Sequence, residues 1–300
     1  MSITTAALTQ MLSNQLSLQE NSISQLQTQL ASGQQLNLPS DNPAAVTQVL
    51  GLSSQASQLS SWQSNAALAT TWLSTATSTA NDVIESMQSA HTLLLQAANQ
   101  GAQNSTSYQA IGTQLRGVIS NLLSLSNTQF EGRPLFGGTS ASVQAYDSSG
   151  NYLGNTDVPT VVLGPGPGVG HTVGISVPGP SMFGVGASNV FATLTAVATA
   201  LQTGVPTSTE ISTALTALDA NLSVAQQASA IMGTASEQVS GISTALTAQI
   251  SNVQANQANL LDINVASTTT QLNAEMANYQ AALWAASRAI PETLQQFIAP

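Results

Sequence analysis

Nine apolar residues follow one another at steps that alternate four and three: Ala69, Leu73, Ala76, Ala80, Val83, Met87, Ala90, Leu94 and Ala97. Only an α-helix lines such positions up on one face, because a turn takes 3.6 residues. A strand would need a period of two. Alanine fills five of the nine places, so a neighbouring helix can come close. The same rhythm returns at both ends of the chain. Leu12, Leu16, Ile23, Leu26 and Leu30 mark one seam, broken at Gln19. Leu272, Met276, Tyr279, Leu283, Ala286 and Ile290 mark another, running on to Phe297 with Thr293 in one slot. Between them, Ile111, Leu115, Val118 or Ile119, Leu122 and Leu125 point one way on a helix from about Tyr108 to Gln129. Val239, Leu246, Ile250, Val253 and Leu260 form a further seam.

Punctuation divides these helices. In LASGQQLNLPSDNPAAV (30–46) Gly33 can take the left-handed conformation that closes a helix, and Pro39 disfavours a helical Leu38. Ser40, Asp41 and Asn42 are all capable N-caps, and Pro43 suits a first turn. One helix of roughly 30 residues should therefore end near Ser32, and a long one should begin near Asn42. GAQNSTS (101–107) reads as a loop. From Gly132 the texture turns rich in Gly and Pro, with VPTVVL and HTVGISV as short strand candidates, so 137–188 reads as a small β-rich insert. Helices return at 189–204 and 208–234, parted by GVP. Pro291 should bend or interrupt the last helix.

The expected fold is mainly α: an elongated helical bundle with paired N- and C-terminal coiled-coil helices and a small β-rich insert. Its parts are a terminal helix pair (1–41 with 262–300), a helical bundle (42–136 with 189–261) and the insert (137–188). The two end helices are similar in length, which suggests that they pair with each other.

Composition narrows the function. The 300 residues carry a net charge of −10, no lysine, and three arginines, Arg116, Arg133 and Arg288. A nucleic-acid binder needs several cationic phosphate contacts, so nucleic acid is not an expected partner. A surface of Ser, Thr, Gln and Asn carries little charge repulsion and suits dense packing of identical subunits. No apolar run approaches 18 residues, so no membrane insertion is expected. The first residues have no positive segment followed by an apolar core, so no cleaved signal peptide is expected. Cysteine is absent, which excludes disulfides and thiolate metal sites.

No catalytic constellation emerges, and neither an enzyme, a cofactor nor a metal is expected. GPGPGVGH (164–171) does not complete a dinucleotide-binding pattern and lacks a P-loop lysine. His91 and His171 are far apart in sequence, and His91 reads as a structural histidine. Glu131 and Arg133 suggest a local ion pair. Trp62, Trp72 and Trp284 fall at or beside helical seams, where core or subunit contact is the expected role.

LASGQQLNLPSDNPAAV resembles the N-terminal signature of the flagellin superfamily. NTQFEGRPLFGGT (127–139) and VPGPSMFG (177–184) resemble passages of flagellar hook-associated, hook–filament junction proteins of the FlgL type, though Pro134 stands where an aromatic is common. LLDINVASTTTQLNAEMANYQAALWAAS (260–287) is similar to the superfamily's C-terminal helix. The resemblance covers almost the whole chain in order. It implies a structural subunit of the bacterial flagellum that joins hook to filament, extracellular and exported unfolded by the type III route. The implied partners are copies of itself, the other hook-associated protein, flagellin, the export apparatus and an export chaperone. Leu12, Leu16, Ile23, Leu26, Leu30, Leu272, Met276, Tyr279, Leu283 and Ile290 would form the assembly interface. Gly33, Pro39, Asp41, Asn42 and Pro43 would form a hinge. The alternatives are flagellin itself and, in another class, a secreted helical-bundle adhesin or translocator.

Overall fold

A computed structural model describes residues 5–99, 104–165, 172–204 and 206–298. The helices are α1 (Thr5–Ser32), α2 (Pro43–Ala98), α3 (Ser105–Ser126), α4 (Pro180–Phe183), α5 (Val190–Thr203), α6 (Ser208–Leu261) and α7 (Val265–Ile298). The strands are β1 (Gln129–Phe130), β2 (Arg133–Pro134), β3 (Thr160–Val162) and β4 (Thr172–Gly174). The chain is mainly α, as its spacing predicts.

Three boundaries differ from expectation. The helix expected over 208–234 continues to Leu261 as part of α6. Gly233 and Gly241 lie inside it, and each costs only about 1 kcal/mol relative to alanine. Burial of Ala225, Ala228, Met232 and Val239 along the same helix outweighs that cost. Secondly, α3 starts at Ser105, ahead of Tyr108, because the Asn104 side chain caps it by accepting the Ser107 N–H at 2.9 Å. Thirdly, α7 passes through Pro291 to Ile298, so the proline does not end it. The side chains of 288–298, Ile290, Thr293 and Phe297 among them, lie outside the described residues, as do His171, Val205 and the Ala299–Pro300 end.

Contacts divide the chain into two units, Met1–Gln58 with Ile250–Pro300, and Leu59–Gln249. The second is built on the α2 seam: all nine positions from Ala69 to Ala97 are fully buried. They share one core with Ile111, Leu115 and Leu122 of α3, Phe191 and Leu194 of α5, and Leu218 and Met232 of α6. α3 and α5 cross so closely that a Cβ on Gly112 would lie 2.9 Å from Gln202 Cγ and 3.0 Å from the Ala198 carbonyl. Glycine is the residue that fits there. His91 meets Asp219 at 3.2 Å, an ion pair between α2 and α6 whenever the imidazole is protonated.

Strands are sparse in the insert. β3 and β4 pair antiparallel, Val161 opposite Val173, and Tyr146 bridges Tyr152. Elsewhere side chains replace the ladder. Asn127 accepts the Ala145 and Tyr146 N–H groups at 2.8 and 3.0 Å and donates to the Tyr146 carbonyl at 2.9 Å. The Tyr152 hydroxyl donates to the Phe136 and Asn155 carbonyls. Phe183 stacks on Phe191, Tyr146 meets Phe183 edge-on and Phe191 at a tilt, and Phe136 is edge-on to Phe183. Thus the passages at 127–139 and 177–184 supply a clamp and a core. Glu131 and Gly132 both have positive φ and form the two-residue turn between β1 and β2. The Glu131–Arg133 ion pair expected there is not made among the described residues: Glu131 is held in the turn at positive φ, while Arg133 belongs to β2 opposite Phe130.

Candidate assembly interface

The unit that contains both chain ends is held together at a root of main-chain hydrogen bonds. Gly33, at φ +73°, closes α1 by donating its N–H to the Gln29 carbonyl at 2.8 Å. Its own carbonyl then accepts the Ile263 N–H at 3.1 Å, and the Gln35 N–H donates to the Leu261 carbonyl at 2.7 Å. The Gln35 side-chain amide adds a bond to the Leu260 carbonyl at 2.8 Å. Asn264 caps α7 by accepting the Ser267 N–H.

The candidate hinge residues cluster beside this root, all exposed. Pro39 sits inside a turn closed by the Asp41 N–H on the Leu38 carbonyl. Asp41 folds its carboxylate back onto the N–H groups of Asn37 and Leu38, at 3.0 and 2.9 Å. Of the three cap candidates Asn42 is the one used: it accepts the Ala45 N–H at 3.1 Å, and Pro43 opens α2.

From the root, α1 and α7 run antiparallel and pack on each other. Leu12, Leu16, Ile23, Leu26 and Leu30 of α1 are half-buried, as are Leu272 and Tyr279 of α7. Met276 and Leu283 each remain 42% exposed, and Leu18 and Trp284 point outward. Only Val253 and Thr268 are buried among the described side chains of this unit. Ile23, Glu20, Met276 and Tyr279 line one shallow depression of about 250 Å³. The Tyr279 hydroxyl donates to Glu20 Oε1 at 2.6 Å. That hydrogen bond to the carboxylate raises the phenol above its ordinary pKa.

The apolar spacing therefore brings together the N- and C-terminal candidates. It misses Glu20, the Gln34–Asp262 bridge and the Asn264 cap. A signal for Glu20 was present: it is the one charged residue in α1. Among the described residues no group of three or more His, Cys, Asp or Glu could hold a metal. Among the described residues no helix is long and apolar enough to cross a membrane.

Residues 3–141 match the bacterial flagellin N-terminal helical region, which here spans α1, α2, α3 and the β1–β2 hairpin. The chain is 29% identical over 128 residues to flagellar hook-associated protein 3 of Salmonella typhimurium, a match covering 42% of the chain and 40% of that protein. It thus spans less than half the length of that curated relative. Two solved structures share its fold. A Vibrio parahaemolyticus protein assigned as flagellar hook-associated superposes with a TM-score of 0.68 at 24% identity, over 74% of this chain and all of that one. Bacillus cereus FlgL gives a TM-score of 0.59 at 21% identity, over 69% of this chain and 99% of its own.

Proposed function

We propose that this chain is a structural subunit of the bacterial flagellum that joins hook to filament. In this reading it is exported unfolded with the help of a chaperone. It assembles outside the cell through its terminal helices, against copies of itself and against the neighbouring hook-associated protein and flagellin. Residues 1–41 with 262–300 form the part buried in the assembly, 42–136 with 189–261 the outer bundle, and 33–42 the hinge. The role is mechanical, with no catalysis.

One observation carries the reading: α1 and α7 pair, yet their seam residues reach only half-burial. Apolar surface left in water at that density calls for further helices to cover it. The match to hook-associated protein 3 supports the junction place over the filament itself.

Electron microscopy of cells lacking the chain tests it. Intact hooks without filaments, with unpolymerised flagellin in the medium, are the expected outcome. Normal filaments overturn the proposal, and purified chain that polymerises alone into long filaments points to flagellin instead.

A further inference from the structure

The α1 seam is interrupted by a polar layer. Gln19 occupies the seam place between Leu16 and Ile23 where an aliphatic residue would fit, and its Oε1 is shut off from water with no donor among the described residues. Next to it, Glu20 receives the Tyr279 hydroxyl from α7. Polar groups in a helical seam lower its stability but restrict the pairings it accepts. Here the restriction has a direction. α7 brings a donor to Glu20, whereas a second α1 brings another carboxylate and no basic residue, since Glu20 is the one charge on that helix. The root bonds at 33–35 and 261–263 are mostly main-chain bonds, so they do not read side-chain identity along the helices.

We propose that Gln19, Glu20 and Tyr279 form a polar key that selects α7 as the partner of α1 and disfavours α1 of a neighbouring copy. The key deepens the junction reading and rests on it, because it matters where terminal helices of many copies crowd together.

The absence of cysteine gives a clean test. Full-length chain carrying Ile23→Cys reports α1–α1 contact as a disulfide-linked dimer on a non-reducing gel after mild oxidation. Adding Gln19→Leu with Glu20→Leu should raise that dimer at least fivefold, with helix content by circular dichroism unchanged or higher. Tyr279→Phe, which removes only the hydroxyl, should raise it about twofold. Unchanged dimer yield in both variants overturns the key. So does a rise accompanied by loss of helix, which marks a layer that merely stabilises the pair. The combination Ile23→Cys with Met276→Cys should cross-link within one chain; failure there also overturns the key, since the partner it selects is then absent. These readouts are made on purified chain, so they stand apart from filament attachment in cells, which tests the junction reading.

Discussion

The Leu59–Gln249 unit and the unit made of Met1–Gln58 with Ile250–Pro300 use the same four–three apolar spacing and come out differently. In the first, Leu73, Val83, Met87 and Leu94 lose all contact with water. In the second, Leu12, Leu16, Ile23 and Leu26 stay half-exposed. Spacing decides which face of a helix is apolar; it does not decide how many neighbours cover that face. Around α2 the cover comes from several elements at once, since α3, α5, α6 and the insert all add side chains to one core. Among the described residues, α7 is the helix packed on α1.

The sharpest way to break this contrast is to cut equivalent side chains. Leu73→Ala empties a fully buried site and should cost about 2–5 kcal/mol. Leu16→Ala, at a half-buried site, should cost less than half as much in the isolated chain. Urea unfolding of each variant, followed by circular dichroism, checks the ratio, and equal losses would erase the distinction.

Glycine replacements should differ in sign. Gly112→Ala drives a methyl into Gln202 and the Ala198 carbonyl and should destabilise by about 1–3 kcal/mol. Gly51→Ala, in the part of α2 that belongs to the terminal unit, meets nothing within 4 Å and should stabilise by about 0.5–1 kcal/mol. Thermal melts of the two variants decide it.

The smallest effect is a pH dependence of opposite direction in each unit. Tyr279 has its pKa raised by the bond to Glu20, so its contribution is complete below the ordinary tyrosine range and is lost as pH climbs through the raised value. The α1–α7 pair should loosen above about pH 10, and Tyr279→Phe should remove that dependence. In the insert, Asp147 accepts from the Asn151 side chain and from the Ser149 and Asn151 N–H groups, which lowers its pKa. Its contribution is complete above the ordinary carboxylate range and fades as pH falls through the lowered value. Amide exchange at 12–30 and at 145–152 across pH follows each separately.

How far these features can be read in advance follows from the range of the interactions. The nine-residue α2 seam and the Gly33–Pro43 punctuation are local, and each residue acts where its neighbours in sequence suggest. Asn42 could not be separated from Ser40 and Asp41, because three adjacent residues offer similar oxygens and only the loop path aims one of them at Ala45. The length of α6 was hidden by Gly233, a breaker by propensity that buried neighbours overrule. The insert resists reading for another reason: Asn127 clamping 145–146 and Tyr152 reaching Phe136 are non-local side-chain bonds with no periodicity. In the terminal pair the partners are legible, but Glu20 is seen only when its isolation as a charge is set against Tyr279.

The root bond from Gln35 to Leu260 joins residues 225 positions apart. At roughly 5–20 residues added per second, translation leaves α1 without a complete α7 for about 13–53 s after α1 has been made. For that interval the first helix is an unpaired apolar segment on a nascent chain. Whatever meets it then competes with no partner of its own, so the timing of synthesis itself keeps this helix open until α7 has been made.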